Sequence, residues 1–152
     1  MAAFAALADV IARYPQEATV LAADETTRLR DDARITTALA DASAEIRGIL
    51  FARYTPAELG SPTPESAEIL SLYCIDIALY RVALSFGRSN ERVKERYDAA
   101  IARLTAIAAG KGALTFEGTS AGTVEAGGTS SPGEVLIDAP ERLMTRDRLK
   151  GW

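Results

Sequence analysis

The sequence predicts an all-α fold: a small bundle of about four helices, followed by an extended C-terminal arm with room for a short β-hairpin. Three observations carry this prediction. Apolar residues recur at helical spacing between residues 7 and 109, and prolines, glycines and capping residues separate these stretches. Eight of the eleven glycines lie from Gly110 onward. We therefore divide the chain into a helical bundle domain, residues 1–110, and a Gly/Ser-rich arm, residues 111–152.

The first predicted helix runs from Leu7 to Tyr14 and ends at Pro15, because proline disfavours the helical conformation of the residue before it. The residues before it lack the positive charge that opens a signal peptide, and Asp9 and Arg13 interrupt the apolar run. They are read as the lead into this helix. Residues 16–32 stay open, since they fit either another helical turn or a charged loop.

The second predicted helix covers residues 34–54, with Asp31 or Asp32 as its N-terminal cap. One stripe of apolar residues marks its buried side: Ile35, Leu39, Ala42, Ile46, Ile49 and Leu50. Prolines and a glycine then predict a loop from Thr55 to Thr63.

The third predicted helix begins at Pro64, with Thr63 as its cap, and runs to Phe86, where Gly87 ends it. Apolar side chains surround almost its whole circumference. A helix of this kind is covered by others on all sides, so we expect it to be the central element. Asp76 and Arg81 interrupt its most apolar stretch, which makes it a poor membrane span.

The fourth predicted helix covers residues 90–109, capped by Asn90 and closed by Gly110. Its buried side carries Val93, Tyr97, Ala100, Ile101, Leu104 and Ile107. Its opposite side is charged, which is typical of a solvated face and also fits a contact between subunits.

In the arm, residues 113–117 and 134–138 are predicted as short strands, and residues 118–133 have the composition of a flexible linker. The last segment alternates cationic and apolar side chains. Tryptophan and arginine are enriched at interface hot spots. We therefore predict that it docks on a partner, while a frayed tail and a segment folded back on the helices stay open. The docking residues are Arg142, Leu143, Met144, Arg146, Arg148, Leu149, Lys150 and Trp152.

The chain has no histidine and one cysteine, so Ser-His-Asp and Cys-His nucleophile systems are excluded and a zinc site is implausible. Neither phosphate-binding glycine motif fits the sequence. We expect no enzyme activity, no metal and no cofactor. A net charge of −4 argues against general nucleic-acid binding.

Some polar and aromatic residues of the predicted helices invite a functional reading, but a structural one is preferred. Asp76 and Arg81 are interpreted as a structural buried pair, oriented by charges on the neighbouring helices. Cys74 is read as a small buried hydrophobe. Tyr73, Tyr80 and Tyr97 fit the core or a subunit interface better than base stacking, because the surrounding charge is not basic.

Five stretches together resemble the head–tail connector, or neck adaptor, family of Mu-like phages and prophages. They are Ala8–Tyr14, Ile35–Tyr54 with the proline-containing loop after it, Asp76–Arg81, Val93–Lys111 and the ending Thr145–Trp152. The resemblance rests on the order and spacing of these stretches along the chain. The glycine-rich residues 118–133 match least.

The resemblance implies a non-enzymatic virion protein of the neck, made in the bacterial host cytoplasm. It would form a ring of about twelve copies below the portal, closed by heterologous contacts between neighbours. Its partners would be the portal protein, copies of itself, and stopper or tail proteins. Double-stranded DNA would pass through the lumen without specific binding, and no membrane would be involved.

Two alternatives stay open, one in the same virion neck and one from a different class of protein. A neck stopper or tail-terminator protein occupies the same part of the virion, but a stopper is expected to have a mainly β body. A small helical transcriptional regulator needs a basic recognition helix. The predicted helix 90–109 has a nearly neutral charge balance, which disfavours that role.

Overall fold

The computed structural model describes residues 3–117, and these residues form an all-α bundle, as predicted. They contain five α-helices rather than four, because the segment after Pro15 is helical as well. The helices are α1 (Leu7–Arg13), α2 (Pro15–Leu21), α3 (Asp32–Leu50), α4 (Pro64–Ser85) and α5 (Glu91–Ala108), with a 3-10 helix at Glu58–Gly60.

Pro15 separates two helices instead of only ending one. It occupies the first turn of α2, where a backbone N–H would have no hydrogen-bond partner within the helix, so the lack of one in proline costs nothing. The preceding residue, Tyr14, leaves the helical region (φ −133°, ψ 60°) and so forms the corner between α1 and α2. The open question over residues 16–32 is thereby answered for its first part, which is helix α2.

Residues 22–31 form a tightly bonded loop between α2 and α3. The Asp31 N–H donates to the Ala22 carbonyl and the Asp24 N–H donates to the Leu29 carbonyl, both at 2.9 Å. Asp24 Oδ1 accepts from the N–H groups of Thr26 and Thr27 at 2.8 Å. These bonds satisfy the loop backbone from within, so the loop has a defined shape although it is exposed.

Helix α3 begins two residues before the predicted start and ends at Leu50 rather than Tyr54. Asp31 is the cap, since its carboxylate accepts from the Arg34 N–H at 2.9 Å. After Leu50 the chain turns. The only bond of the Tyr54 backbone N–H to the helix is the one to the Leu50 carbonyl. The predicted apolar stripe is buried, and only Ile49 is partly exposed.

Helix α4 begins at Pro64, as predicted, but Thr63 does not cap it through its side chain. The Thr63 hydroxyl lies 2.6 Å from the hydroxyl of Thr115, so it hydrogen-bonds a residue far along the chain instead of the first turn of α4. The prediction that other helices cover α4 on all sides is also wrong in part. Helices α2, α3 and α5 contact α4, yet Ile69 and Leu84 remain 40% and 53% exposed.

Glycines in the left-handed conformation end both α4 and α5. Gly87 has φ +63° and Gly110 has φ +83°. In each case the glycine N–H and the N–H after it bond back into the last helical turn, at 3.1 and 2.8 Å for Gly87 and Arg88. Both helices thus end in the Schellman arrangement, which favours glycine at this position. At the start of α5, Asn90 accepts from the Val93 N–H at 3.0 Å, as predicted.

The residues after Gly110 return to the bundle and complete its core. Leu114 and Phe116 are each 6% exposed, and the Phe116 ring meets Tyr54 edge-on at 5.0 Å. The predicted strand 113–117 is reduced to an isolated antiparallel bridge between Pro62 and Phe116. The division of the chain at residue 110 stays a prediction, and the predicted strand 134–138 lies outside the described residues.

The core is built around α4, which contacts α3 and α5 most extensively. Its fully buried side chains include Leu70, Ile75, Ile77, Leu79 and Val82. Burying one such side chain contributes about 1.5–3 kcal/mol relative to leaving it in water. The contacts of α4 are therefore the main source of stability, with Ile35, Leu39 and Ile46 of α3 and Leu104 of α5 as its partners in the core.

Three glycines give a matched test of the helix ends. Gly87→Ala and Gly110→Ala should each destabilise the chain by about 1 kcal/mol, because alanine is strained at positive φ. Gly48→Ala, inside α3, should stabilise it by about 0.5–1 kcal/mol through helix propensity. A Cβ atom at any of the three positions meets open space, so backbone conformation alone separates them. Urea unfolding measures the differences, and equal effects at all three sites would contradict this account.

Candidate functional site

The predicted docking residues, from Arg142 to Trp152, lie outside the described residues, so the structure gives no geometry for them. The other predicted residues lie where helices meet. Asp76 and Arg81 do not bond one another, and each finds its own partner on a neighbouring helix. These contacts and the exposed apolar side chains are the features from which an interaction site can be built.

Arg81 is tied to α3 and α5 through Glu45. Its Nη2 atom lies 2.7 Å from Glu45 Oε2, and the Tyr97 hydroxyl donates to Glu45 Oε1 at 3.3 Å. The hydrogen bond to Glu45 raises the pKa of Arg81 further above its usual value, so the group stays charged. Glu45 thereby connects three helices at one point.

Asp76 faces a second cluster, centred on Arg96. Its Oδ1 atom is 3.9 Å from Arg96 Nη1, whereas Arg96 Nη2 bonds Glu17 of α2 at 2.5 Å. The Arg96 guanidinium also covers the Tyr14 ring at 4.7 Å. Arg96 therefore holds the corner between α1 and α2 against α4 and α5, and its charge offsets two carboxylates.

Asp76 is the one carboxylate in residues 3–117 with a buried oxygen that makes no hydrogen bond. Its side chain is 12% exposed. Burial raises the pKa of Asp76 above its usual range, and the charge of Arg96 opposes that effect only in part. Asp76, Arg96 and Glu17 thus form one charge cluster where α2, α4 and α5 meet.

Two of the three tyrosines, Tyr80 and Tyr97, fill the seam between α4 and α5. The rings of Tyr80 and Tyr97 stack with centroids 4.5 Å apart and planes at 24°. Tyr73 is partly buried and packs against the core. Because Tyr80 and Tyr97 stack on one another, they hold the two helices together as aromatic pairs do.

Cys74 lies fully buried, as predicted. Its sulfur is 3.3 Å from Ser43 Oγ and 3.6 Å from the Leu39 carbonyl oxygen. Burial raises the pKa of the Cys74 thiol, which keeps it protonated and poorly reactive. Ser43 also accepts from the Phe4 N–H at 3.0 Å, so this buried pair attaches the N-terminal residues to α3 and α4.

Two further features were not predicted from the sequence as parts of a site. The first is a set of apolar side chains exposed on the body: Val20, Leu29, Phe51, Ile69 and Leu84, of which Leu29 is the most exposed at 71%. The second is an apolar groove of about 370 Å³. Its lining residues are Ala3, Phe4, Arg47, Pro56, Leu59, Gly60, Pro62 and Ala67. Only Leu29 of the first set lies in the loop before α3, and the groove brings together residues that are far apart in sequence.

Within residues 3–117, no group of three or more acidic or cysteine side chains could hold a metal ion. No helix in the same part of the chain is long and apolar enough to cross a membrane.

The family described as Bacteriophage Mu, Gp36 matches residues 4–131. The chain belongs to this family. The Gp36 match covers all five helices, and it indicates a phage structural or morphogenesis protein associated with the virion. No curated protein matches the chain.

Replacing Arg96 tests its role in this Gp36-family bundle. Arg96→Ala should destabilise the chain by about 1–3 kcal/mol, because the buried carboxylate of Asp76 and the side chain of Glu17 would lose their shared cation. Arg92→Ala is the matched control, one turn away on the exposed face of α5, and should change stability by less than about 0.5 kcal/mol. Thermal unfolding followed by circular dichroism compares them, and similar losses would refute the assignment.

The raised pKa of Asp76 predicts a pH dependence. A carboxyl whose pKa rises on folding binds its proton more tightly in the folded chain, so its contribution to stability is lost as the pH rises through the raised pKa. Asp76→Asn removes this loss. The unfolding free energy of the variant minus that of the wild type should therefore grow as the pH rises from below the usual pKa of an aspartate, about 3.9, through the raised pKa of Asp76.

Urea unfolding across this pH range measures the difference. Asp98→Asn is the control, since Asp98 is exposed on α5. A difference that stays constant or shrinks with rising pH would mean that Asp76 carries no such penalty.

Proposed function

We propose that this protein is a head–tail connector adaptor, a structural and non-enzymatic virion protein. It forms a ring below the portal and joins the DNA-filled head to the tail. The family match carries the proposal, since it covers residues 4–131 and therefore the whole helical body. The helical body favours the adaptor role over that of a stopper, for which a mainly β body is expected.

Helices α3 and α5 are proposed to form the lateral contacts of the ring. The outward side of α3 carries a row of small exposed side chains, with exposed Asp41 beside it. The row consists of Ala33, Thr37, Ala40, Ala44 and Gly48. A neighbouring helix could approach such a surface closely. The outward side of α5 begins with charged residues and continues with Ala99, Ala102 and Thr105, which are exposed as well. The hydroxyls of Thr37 and Thr105 bond carbonyls of their own helices.

The charge of the body suits a channel for DNA. Residues 3–117 carry 13 basic and 16 acidic side chains, so the net charge is 13 − 16 = −3. A protein that grips DNA neutralises phosphates with excess lysine and arginine. A body with a net negative charge would let DNA pass through the ring without binding to it, provided that the lumen is not lined mainly by Lys and Arg.

Light scattering on the full chain, alone and mixed with the portal protein of the same genome, tests the connector role. A ring-sized complex that forms only with the portal would support this role. It would also mean that the subunits become ordered when they assemble on the portal. A chain that ignores the portal would contradict it. A gel shift with duplex DNA then examines the transcriptional-regulator alternative.

Deleting residues 141–152 should leave a folded, soluble body and abolish head–tail joining, because these residues are proposed to dock on the portal or an adjacent neck subunit. Circular dichroism checks the body, and the yield of infectious particles measures joining. Alanine substitution of Arg146, Arg148, Leu149 and Trp152 should have the same effect as the deletion.

The matched control replaces Thr119, Ser120 and Thr129 by alanine, in the glycine-rich segment of the same arm. It should leave the yield of infectious particles unchanged. Infectious particles from the truncated chain would show that the terminal segment is not the docking element.

A further inference from the structure

Helices α1 and α2 form a short strap across the bundle. Each has seven residues, too few to be stable alone. They pack on one another, while α1 also packs on α3 and α2 on α4. Helix α1 buries Val10, and α2 buries Ala18 and Leu21. Because this apolar contact is small, the attachment of the strap depends strongly on polar contacts.

One cation lies between two carboxylates at the edge of the strap. Arg96 of α5 bonds Glu17 of α2, with Nη2 and Oε1 2.5 Å apart. Its Nη1 atom is 3.9 Å from Oδ1 of Asp76 on α4, too far for a hydrogen bond. That buried Oδ1 atom makes no hydrogen bond within residues 3–117. Arg96 is thus bonded to Glu17, and the buried oxygen of Asp76 is left unsatisfied.

The charges around Asp76 act in opposite directions. Burial raises the pKa of Asp76 most, and Arg96 opposes this effect. Glu17 raises the pKa of Asp76 as well, because two negative charges repel. The exposed Arg13 of α1 and Arg103 of α5 lower it. Glu17 therefore competes with Asp76 for Arg96 and also repels it.

Arg96 and Asp76 would stay together if the strap lifted. They lie on α5 and α4, which follow one another in the chain and pack extensively. The guanidinium needs to move by only about 1 Å to reach hydrogen-bond distance from Asp76. It would lose its bond to Glu17 and its contact with the Tyr14 ring. A new charge-assisted bond to the buried carboxylate would offset part of that loss.

The ends of the strap are held by bonds that do not involve Arg96. The Phe4 N–H donates to α3 before α1 begins. Arg88 donates to the carbonyls of Val20 and Ala23 where α2 ends. The contacts of Arg96 lie between these two ends. Loss of those contacts therefore loosens the middle of the strap, and the ends can keep their bonds.

We propose that Arg96 is a two-position switch, which holds the strap while it bonds Glu17 and closes on Asp76 when the strap lifts. The bundle then has a second, less populated state in which α3, α4 and α5 keep their places. In that state Val10 and Ala18 no longer cover the core, so apolar surface becomes accessible. The switch does not depend on the connector role.

Native-state hydrogen exchange of the full chain in low urea tests whether the strap lifts by itself. The N–H groups of Tyr14 and Ala18, which bond the carbonyls of Val10 and Tyr14, report on its middle. They should exchange faster than the N–H groups in the buried turns of α4, with little dependence on urea. Equal protection of the strap and α4 would overturn the proposal, since the strap would then open only with the whole chain.

Asp76→Asn tests the second position of the switch. It should slow exchange at Tyr14 and Ala18 at least about threefold, because the lifted state loses its charge-assisted bond to Arg96. Asp98→Asn is the matched control, exposed on α5, and should leave this exchange unchanged. Strap exchange that is unchanged or faster in Asp76→Asn would mean that Asp76 only supports the closed state, and would refute the switch.

Glu17→Gln tests the first position. Without the Glu17 charge, the strap should exchange at least about threefold faster, whereas the control Glu25→Gln, which removes an exposed charge from the following loop, should have no effect. A crystal structure of Glu17→Gln should show Arg96 about 3 Å from Asp76. Equal exchange in the two variants, or an Arg96 that stays 3.9 Å from Asp76, would count against the two positions.

Discussion

The burial of α4 is the constraint on which the rest of the body depends. Its core side chains point in most directions around the helix, so no single partner can remove them from water. Helices α3 and α5 cover it most extensively, α2 packs against it as well, and the returning segment with Leu114 and Phe116 adds to the same core. The side that carries Ile69 and Leu84 is left partly open, so α4 is both the centre of the core and part of the surface.

Charges fix the elements that hydrophobic contact alone would leave loosely placed. Helices α1 and α2 have seven residues each, too few to be stable by themselves. Arg96 bonds Glu17, and Arg88 donates to the carbonyls of Val20 and Ala23, so two arginines from around α5 hold α2 in place. Glu45 holds α3 in place in the same way, because its carboxylate accepts hydrogen bonds from both Arg81 and Tyr97. The polar groups that looked like candidate chemistry in the sequence are thus explained by the positions of the helices.

Local signals allowed the helices to be predicted, and distant contacts account for what was missed. Asn90, Gly87 and Gly110 act within one or two turns of their own positions, so their roles could be read from the sequence. Thr63 was expected to cap α4, but its hydroxyl meets Thr115, which is 52 residues away. The partners of Asp76 and Arg81 were expected on neighbouring helices, but only the fold could identify Arg96 and Glu45. The groove could not be predicted at all, because its walls come from the N-terminal residues, α3 and the loop before α4.

The anchoring of residues 113–117 has a mechanical consequence. The Thr115 N–H donates to Ser66 Oγ, the Thr63 N–H donates to the Thr115 carbonyl, and the Glu117 N–H donates to the Ser61 carbonyl. These bonds tie the segment to the first turn of α4 and the residues before it, and not to the end of α5 from which it comes. A pulling force applied beyond Glu117 would therefore load the central helix directly. The turn at Gly110 would be shielded from that force until the bridge to Pro62 gave way.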